Sequence, residues 1–298
     1  LEVTPRYMKK ALTYYVNVDW FFISHRFDLA LEAKRREFDV TVLTPITNEK
    51  YFTALSKEFK VVRLKNDRGL RPFRSLSNVG VVLLHILRTR PDVLHVISLK
   101  PILISSVLSI FFRGPKYVFA FSGLGPVFNP RTIMQKLLTK IVWRVLWVNI
   151  KLNNVAIVQN EVDKSVVSQL FSIDRILLVP GSGINCQDRF YFRHEDNIVV
   201  SFAGRFVVEK GLLLFLEAIN TINRDHCDLV KRCGLEFHIA GWADANSRNP
   251  IDKSVIKDLS NIDNVKFFGR LDSLDHFLKK TDIFVFPSTY PEGLPKVL

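Results

Sequence analysis

The sequence predicts an α/β protein of two Rossmann-like domains, each built on a doubly wound parallel sheet. Short apolar, β-branched runs alternate with helical patterns along the whole chain, which is typical of strand–helix–strand units. The 298 residues suffice for two domains of ordinary size. A second strand–helix series begins at Asn197, after a glycine-rich turn at residues 180–185. We therefore place the domains at residues 8–193 and 194–298.

The individual elements follow from the same patterns. Strands are predicted in the first domain at 11–18, 39–44, 60–64, 92–97, 117–121, 155–158 and 176–179, and in the second at 198–202, 235–240, 265–268 and 283–286. Helices are predicted at 24–36 (capped by Ser24), 49–58, 76–88, 101–112, 131–151, from 161, 211–222, 252–259 and 273–280.

The composition favours a globular protein of a reducing compartment. A hydrophobic content of 48% supports large buried cores and argues against disorder. The cysteines Cys186, Cys227 and Cys233 have neither metal-site nor disulfide-framework spacing, which points to the cytosol. Cys227 and Cys233 are expected to be ordinary residues near a helix end. The longest apolar run, 101–112, is too short to span a bilayer.

Charge is distributed unevenly along the chain. Residues 1–193 carry 29 Lys and Arg against 14 Asp and Glu, whereas residues 194–298 carry 13 against 15. A basic first half suggests an anionic partner: a membrane surface, a nucleic acid or a phosphorylated substrate. We do not expect nucleic acid, because no recognition motif with interleaved aromatics is present. The acid-free stretch between Asp92 and Glu161 holds Lys100, Arg113, Lys116, Arg131, Lys136, Lys140, Arg144 and Lys151.

The predicted helix at 131–151 has a basic stripe. Lys136, Lys140 and Arg144 recur every four residues, and Trp143 and Trp147 lie beside them. A basic helix with tryptophans can lie on an anionic membrane surface. The alternative is a packed surface helix with a solvated basic stripe, and the sequence leaves both open.

Two segments of the second half have the residues of an anion site. Gly204 and Arg205 follow a strand, and Lys210 and Gly211 open the next helix. Glycines permit close backbone approach, a helix N-terminus favours anions, and two cations suit a diphosphate. The spacing is not that of a Walker loop or a dinucleotide fingerprint. Taken alone, a surface arginine and lysine in such a loop could equally be structural.

The last stretch, 282–298, carries a carboxylate beyond a strand. An apolar run ends at Pro287, and a turn-rich segment then presents Glu292 and Gly293. Ligand sites of open α/β sheets lie beyond the carboxyl ends of strands, and a carboxylate there can hold sugar or ribose hydroxyls. Alone, Glu292 could be a solvated loop acid.

Several of these segments together resemble a known family. FAGRFVVEKG (202–211), AGWADANSRNP (240–250), VKFFGRLD (265–272) and FPSTYPEGLPKVL (286–298) resemble the donor domain of retaining glycosyltransferases of family 4. These enzymes have the GT-B fold, in which two Rossmann-like domains face a cleft. DWFFISHR (19–26) and HVISLKP (95–101) resemble the bacterial branch that extends polysaccharide repeat units on a polyprenyl diphosphate carrier.

The resemblance implies roles for residues of the second domain. Arg205 and Lys210, beside Gly204, would bind the donor diphosphate and stabilise it as leaving group. Glu292 matches the first acid of the family's E-x7-E motif and would lie against the donor sugar. Gly293 and Leu294 would offer backbone amides to sugar or phosphate. The resemblance implies neither a metal nor a cofactor besides the nucleotide-sugar substrate.

Candidates for acceptor or other contacts in the first domain are less specific. The two motifs of that domain contain His25, Arg26, His95 and Lys100, and the loop after the fifth strand contains Ser122 and Gly123. For His25 and His95, an ordinary core or helix-surface histidine is an equally good interpretation.

The sequence also departs from the family pattern. The second acid of E-x7-E would fall two residues beyond Leu298, so we expect a C-terminally truncated chain with an incomplete second domain. Residues 17–20 replace the usual Gly-Gly loop after the first strand. Glu37 occupies a position where relatives often have a helix-ending glycine.

The resemblance implies a hexosyltransferase acting with retention. It would move a hexose or acetamido-hexose from a nucleotide sugar, expected to be UDP-linked, to a lipid-linked saccharide in surface polysaccharide (lipopolysaccharide or capsule) synthesis. We expect it in the cytoplasm, peripheral on the inner face of the plasma membrane. The alternatives are a GT-B epimerase or phosphorylase, and an incomplete, inactive fragment that only binds membrane or nucleotide.

Overall fold

The structure is a computed structural model that divides the chain into two compact units. It describes residues 9–66, 72–124, 128, 133–147, 152, 154–184, 197–243, 249–258 and 262–298. The first unit comprises Leu1–Ile184 with Glu292–Lys296, and the second comprises Asn185–Pro291 with Val297–Leu298. The predicted boundary between residues 193 and 194 lies outside the described residues, as does Cys186.

The first unit is built on a sheet of seven parallel strands, as predicted. Their spatial order is β3-β2-β1-β4-β5-β6-β7, which is a doubly wound arrangement. The order reverses between β1 and β4, where Tyr14 pairs with His95. The strands are β1 (Ala11–Val16), β2 (Asp39–Pro45), β3 (Lys60–Leu64), β4 (Val93–Ile97), β5 (Lys116–Ala120), β6 (Val155–Val158) and β7 (Ile176–Leu178).

Helices connect these strands. Asn48 and Asn160 begin two of them as side-chain caps, each accepting a hydrogen bond from a backbone amide of the first turn. The helices are α1 (Asp19–His25), α2 (Phe27–Arg35), α3 (Glu49–Glu58), α4 (Pro72–Thr89), α5 (Leu99–Phe111), α6 (Ile133–Trp147) and α7 (Glu161–Val167). The ends of the predicted 131–151 helix, beyond 133 and 147, lie outside the described residues.

The predicted helix at 24–36 is wrong in its start. The chain turns helical at Asp19 and breaks at Arg26, so two short helices replace one. Ser24 caps nothing, since its hydroxyl donates to the Trp20 carbonyl of the preceding turn (2.9 Å). Asp19, the first residue of α1, is fully buried and accepts hydrogen bonds from the Thr47 amide (2.6 Å) and hydroxyl (2.7 Å). This carboxylate ties the segment after β1 to the segment after β2.

Two apolar layers cover the faces of the first sheet. Adjacent strand residues point to opposite faces, so Tyr15 and Leu43 join one layer while Tyr14 and Val42 join the other. Glu37 lies two residues after the end of α2, and its φ of 66° is in the left-handed region. This is the conformation for which a helix-ending glycine is preferred. Among the described residues, no helix combines the length and apolar character needed to cross a membrane.

The second unit is a smaller parallel sheet with the order β10-β9-β8-β11. The last strand is shorter than the predicted 283–286, although the Val285 amide still donates to the Ser201 carbonyl (2.8 Å). Cys227 opens a helix and Cys233 follows its end, which confirms their predicted place. The elements are β8 (Val199–Phe206), α8 (Leu212–Asp225), α9 (Cys227–Arg232), β9 (Glu236–Ala243), α10 (Lys253–Asp258), β10 (Val265–Gly269), α11 (Asp275–Lys279) and β11 (Ile283–Phe284).

Candidate functional site

The carboxyl edge of the second sheet carries residues that the sequence predicts for an anion site. Gly204 and Arg205 lie at the end of β8, paired with Gly241 and Trp242 of β9. The Arg205 side chain is exposed. Gly241 has a φ of 152°, and a Cβ there would collide with the Gly204 carbonyl. The close approach of these two strand ends therefore depends on glycine and places Arg205 at the edge where open sheets bind ligands.

The turn between β8 and α8 is shaped by a second glycine. Residues Val208–Lys210 form one turn of 3-10 helix, and Gly211 then adopts a left-handed φ of 78° before α8 begins. A Cβ at Gly211 would overlap the Pro287 carbonyl. The first amides of a helix lack intrahelical acceptors and attract anions. Gly211 thus lets Lys210 lie beside the positive end of the 14-residue helix α8.

Glu209 organises this turn, a function that the sequence did not reveal. Its carbonyl accepts hydrogen bonds from the Thr289 amide (2.9 Å) and the Ser288 hydroxyl (3.3 Å). Its carboxylate accepts one from the Asn249 side-chain amide. Glu209 therefore joins three segments: the turn after β8, the Asn-Pro segment before α10 and the loop after β11. All three segments are recognisable in the sequence, but nothing in the sequence indicates that they contact one another.

Two aromatic rings flank Lys210. Its Nζ lies 5.2 Å from the ring centroid of Phe286 and 5.6 Å from that of Tyr290. Both distances are in the range of cation–π attraction. The sequence predicted Lys210 as an anion ligand but gave no hint of its aromatic neighbours.

A second cation–aromatic pair lies on the same edge. The Arg270 guanidinium, just beyond β10, stacks 4.7 Å from the ring centroid of Trp242, which is 37% exposed. Because β8, β9 and β10 are parallel neighbours, Arg205, Trp242 and Arg270 follow one another along their carboxyl ends. Sequence reasoning missed Arg270, although it follows its strand much as Arg205 ends β8.

The segment Glu292–Lys296 belongs to the first unit. The Leu294 amide, predicted to face sugar or phosphate, donates instead to the Pro180 carbonyl (2.6 Å). A Cβ at Gly293 would collide with that same carbonyl and with the Gln159 side chain. Close packing on the loop after β7 explains this glycine and corrects the interpretation of the Leu294 amide. The role of Glu292 toward a donor sugar stays a prediction.

The first unit brings three predicted residues together near β1 and β4. Arg26 is only 7% exposed and donates to the His25 carbonyl (2.9 Å). The His95 ring lies 5.0 Å from that of Tyr14, and its buried Nε2 has no hydrogen-bond partner among the described residues. The Phe21 ring stacks on the His25 ring, with 4.4 Å between the ring centroids.

Burial and nearby cations keep both histidines neutral. Desolvation, with a smaller effect of Arg26, lowers the pKa of His95 to about 3. Desolvation, Lys296 and Arg26 lower the pKa of His25 to about 4. Burial also raises the pKa of the Tyr14 hydroxyl to about 12. Near neutral pH, Arg26 is therefore the cation of this group, while both imidazoles act as neutral polar groups.

The remaining candidates lie along the same edge of the first sheet. Lys100 is in the first turn of α5, after β4, and is half-buried. Ser122 and Gly123 follow β5, and Gly123 has a φ of 97°. Within the part of the chain that the structure describes, no group of three His, Cys, Asp or Glu residues could hold a metal ion.

Comparison with known proteins gives matches for both halves of the sequence. Residues 11–148 match a family model described as "Glycosyl transferase 4-like". Residues 186–298 match one described as "Glycosyl transferases group 1". A comparison with curated protein sequences gives no match.

Solved structures share the fold at low sequence identity. A glycosyltransferase from Rickettsia africae is 17% identical, with a TM-score of 0.67, over 96% of this chain and 75% of that one. Sucrose-phosphate synthase from Thermosynechococcus elongatus is 15% identical, with a TM-score of 0.69, over 97% of this chain and 78% of that one. Anabaena HepE, solved with UDP-glucose, is 14% identical, with a TM-score of 0.65, over 96% and 76%.

The architecture and the family models agree. Each unit is an open parallel sheet flanked by helices, and the structural neighbours have the GT-B fold. Each half of the sequence independently matches a glycosyltransferase model. The chain thus has the GT-B fold, and each half of its sequence is similar to glycosyltransferases.

Proposed function

We propose that this chain is a hexosyltransferase that moves a hexose or acetamido-hexose from a UDP-sugar to a lipid-linked saccharide, with retention. The acceptor is a saccharide on polyprenyl diphosphate, and the process is surface polysaccharide synthesis. The observation that carries the proposal is the anion site of the second unit, where Arg205 and Lys210 lie at the carboxyl edge of the sheet and the N-terminus of α8.

The chemistry follows from charge. When a sugar leaves its nucleotide, negative charge develops on the diphosphate, and fixed cations that stabilise this charge lower the barrier. Arg205 offers a planar set of donors and Lys210 a compact charge, and the helix N-terminus adds a partial positive charge. With these groups as the neutralising charges, the proposed reaction uses no resident metal or cofactor. Glu292 is proposed to hold hydroxyls of the donor sugar.

The choice of a uridine nucleotide has support from a structural neighbour. HepE was solved in complexes with UDP and with UDP-glucose. The pair formed by Trp242 and Arg270 provides an exposed flat surface on the same edge as Arg205. A flat cationic surface of this kind suits a nucleobase, since bases stack on aromatic and guanidinium planes.

A membrane-bound acceptor has support from α6. Its exposed residues are both basic and apolar: Lys136, Lys140 and Arg144 alternate with Ile133 (87% exposed) and Leu137. A groove of about 620 Å³ on this helix is lined by Lys136, Thr139, Lys140, Trp143, Arg144 and Trp147.

An outward face of this composition suits an interface with anionic lipid headgroups. We therefore propose that the protein is cytoplasmic and peripheral on the inner face of the plasma membrane. The basic 131–151 helix would be the contact. In the first unit, Arg26, His25, His95, Lys100, Ser122 and Gly123 are proposed to contact the acceptor.

The direct test is a transfer assay with a panel of nucleotide sugars and a polyprenyl diphosphate-linked saccharide. We expect transfer from a UDP-sugar, with loss of at least a hundredfold in Lys210→Ala because one charge-stabilising group is removed. Lys231→Ala is the matched control, since Lys231 is an exposed lysine of the same unit. Release of an epimer without acceptor would favour the epimerase alternative. Absence of both turnover and UDP binding would overturn the proposal.

A further inference from the structure

Lys210 is held by aromatic rings from a distant part of the sequence. Its ammonium group is 5.2 Å from the centroid of Phe286 and 5.6 Å from that of Tyr290. Phe286 and Tyr290 stand on either side of the Pro-Ser-Thr turn that follows β11. An ammonium group within about 6 Å of an aromatic face is attracted to it. Two such rings restrict where the end of the lysine side chain can be.

The rings and the lysine are fixed to one another through the backbone. Ser288 and Thr289, which lie between the two aromatic residues, both donate to the carbonyl of Glu209, the residue before Lys210. The left-handed Gly211, packed on Pro287, fixes the other side of the lysine. The relative position of the rings and Lys210 is therefore set by the same hydrogen bonds that hold the turn.

An aromatic setting differs chemically from an ion pair. A carboxylate partner would neutralise the ammonium group and repel an incoming phosphate. An aromatic face attracts the cation through its quadrupole and brings no formal charge. The two rings thus restrict the lysine side chain without adding a negative charge beside an anionic ligand. Restricting a group before binding lowers the entropy lost when it binds.

We propose that Phe286 and Tyr290 are positioning residues that hold the Lys210 ammonium group ready for the diphosphate of the donor. This inference rests on the proposed function, in which Lys210 binds that diphosphate. It adds two residues that act through Lys210. It also explains why the loop after β11 is joined so closely to the turn after β8.

The experiment measures UDP affinity by calorimetry in the full chain. Tyr290→Leu and Phe286→Leu are each expected to weaken UDP binding about two- to tenfold, the effect of one cation–π contact. Tyr290→Phe keeps the ring and is expected to bind UDP like the wild type. Tyr290 is 38% exposed, so its substitution leaves the apolar core intact.

The matched control is Tyr51→Leu. Lys50 lies 5.4 Å from the Tyr51 ring centroid in α3 of the first unit, so this variant removes a similar contact far along the chain. It should leave the UDP affinity unchanged. Folding of every variant is checked by its thermal melting curve.

A double-mutant cycle separates positioning from a general structural effect. In a Lys210→Met background, Tyr290→Leu should have no further effect on UDP affinity, because the group that it positions is gone. An equal loss in both backgrounds would overturn the inference. So would an unchanged affinity in Tyr290→Leu, or a Tyr290→Phe variant as weak as Tyr290→Leu.

The failures of the two proposals are distinguishable. A wild-type chain that does not bind UDP would overturn the proposed function, and this inference with it. A wild-type chain whose UDP binding is weakened by Lys210→Met but not by Tyr290→Leu or Phe286→Leu would overturn only the positioning role.

Discussion

The Thr289 amide donates a hydrogen bond to the Glu209 carbonyl over 2.9 Å. This bond joins the loop after the last strand of the second sheet to the turn that precedes α8. It brings Lys210 against Phe286 and Tyr290, and it brings Gly211 against Pro287. The proposed diphosphate site therefore depends on contacts between two segments that are distant in sequence.

Gly211 should be irreplaceable at this junction. Gly211→Ala adds a Cβ to a residue with a φ of 78° and drives it into the Pro287 carbonyl. We expect a loss of about 2 kcal/mol or more in the free energy of unfolding of the second unit, measured by urea denaturation.

The control for this substitution is Gly80→Ala. Gly80 lies in α4, with open space where a Cβ would be. The change should stabilise the first unit by about 0.5–1 kcal/mol because alanine favours a helix. Similar effects of the two substitutions would contradict the account.

Asp19 should be essential for the stability of the first unit. Asp19→Ala removes the fully buried carboxylate to which the half-buried Thr47 amide and hydroxyl donate, so we expect a cost of about 2–4 kcal/mol. The measurement is urea denaturation followed by circular dichroism. Asp28→Ala, at an exposed position of α2, is the control and should change stability by under about 0.5 kcal/mol. An Asp19→Ala variant as stable as the control would show that these bonds matter little.

The buried histidines should make the first unit sensitive to acid. His95 has its pKa lowered to about 3 in the folded chain, whereas the unfolded chain titrates near about 6.5. Between about pH 6.5 and 3, His95 therefore binds a proton in the unfolded state but not in the folded state. The folded protein has its full stability above about pH 6.5 and loses stability as the pH falls toward 3. Around pH 5.5 the loss of unfolding free energy due to His95 should be about 1.4 kcal/mol.

This acid dependence can be assigned by substitution. His95→Gln should flatten the decline of unfolding free energy between about pH 7.5 and 5.5. His276→Gln is the matched control variant because its side chain is exposed. A His95→Gln variant that keeps the full wild-type decline would contradict the assignment.

The basic face of α6 should bind anionic membranes. Replacing Lys136, Lys140 and Arg144 with serine removes three exposed cations, each worth about 1 kcal/mol near an anionic surface. We expect flotation with phosphatidylserine vesicles to drop at least tenfold and neutral vesicles to bind neither protein. A control with serine at Lys9, Lys57 and Arg88, which are exposed elsewhere on the first unit, should float normally. Equal flotation of wild type with neutral and anionic vesicles would remove the membrane contact.

Much of the fold follows from local sequence signals. The seven strands of the first sheet and four of the second were predictable because apolar runs such as 39–44 and 198–202 are long and bounded by polar turns. The helix start at Asp19 was not, because the Asp19 carboxylate is held by hydrogen bonds from Thr47, a residue that only the folded chain brings next to it. The short β11 depends similarly on where its pairing with β8 ends.

The candidate site was predictable as a set of residue types but not as a set of contacts. Arg205, Lys210 and Gly211 stand out because glycines and cations follow a strand. The aromatic neighbours of Lys210 could not be inferred from the sequence. Phe286 ends a predicted strand and Tyr290 lies in a loop, and neither position indicates a contact with a residue so distant in the chain. The same limit explains why the Leu294 amide was assigned to a ligand although Pro180 accepts its hydrogen bond.

The measurement that most directly tests the account is the affinity for UDP of the wild-type chain and of Lys210→Ala, by calorimetry in one buffer. Lys231→Ala serves as the control for loss of a lysine from the same unit. We predict that the wild type and the control bind UDP alike and that Lys210→Ala binds at least tenfold more weakly, as expected for loss of a charge-assisted contact. Equal affinity in all three proteins would contradict the proposed diphosphate site.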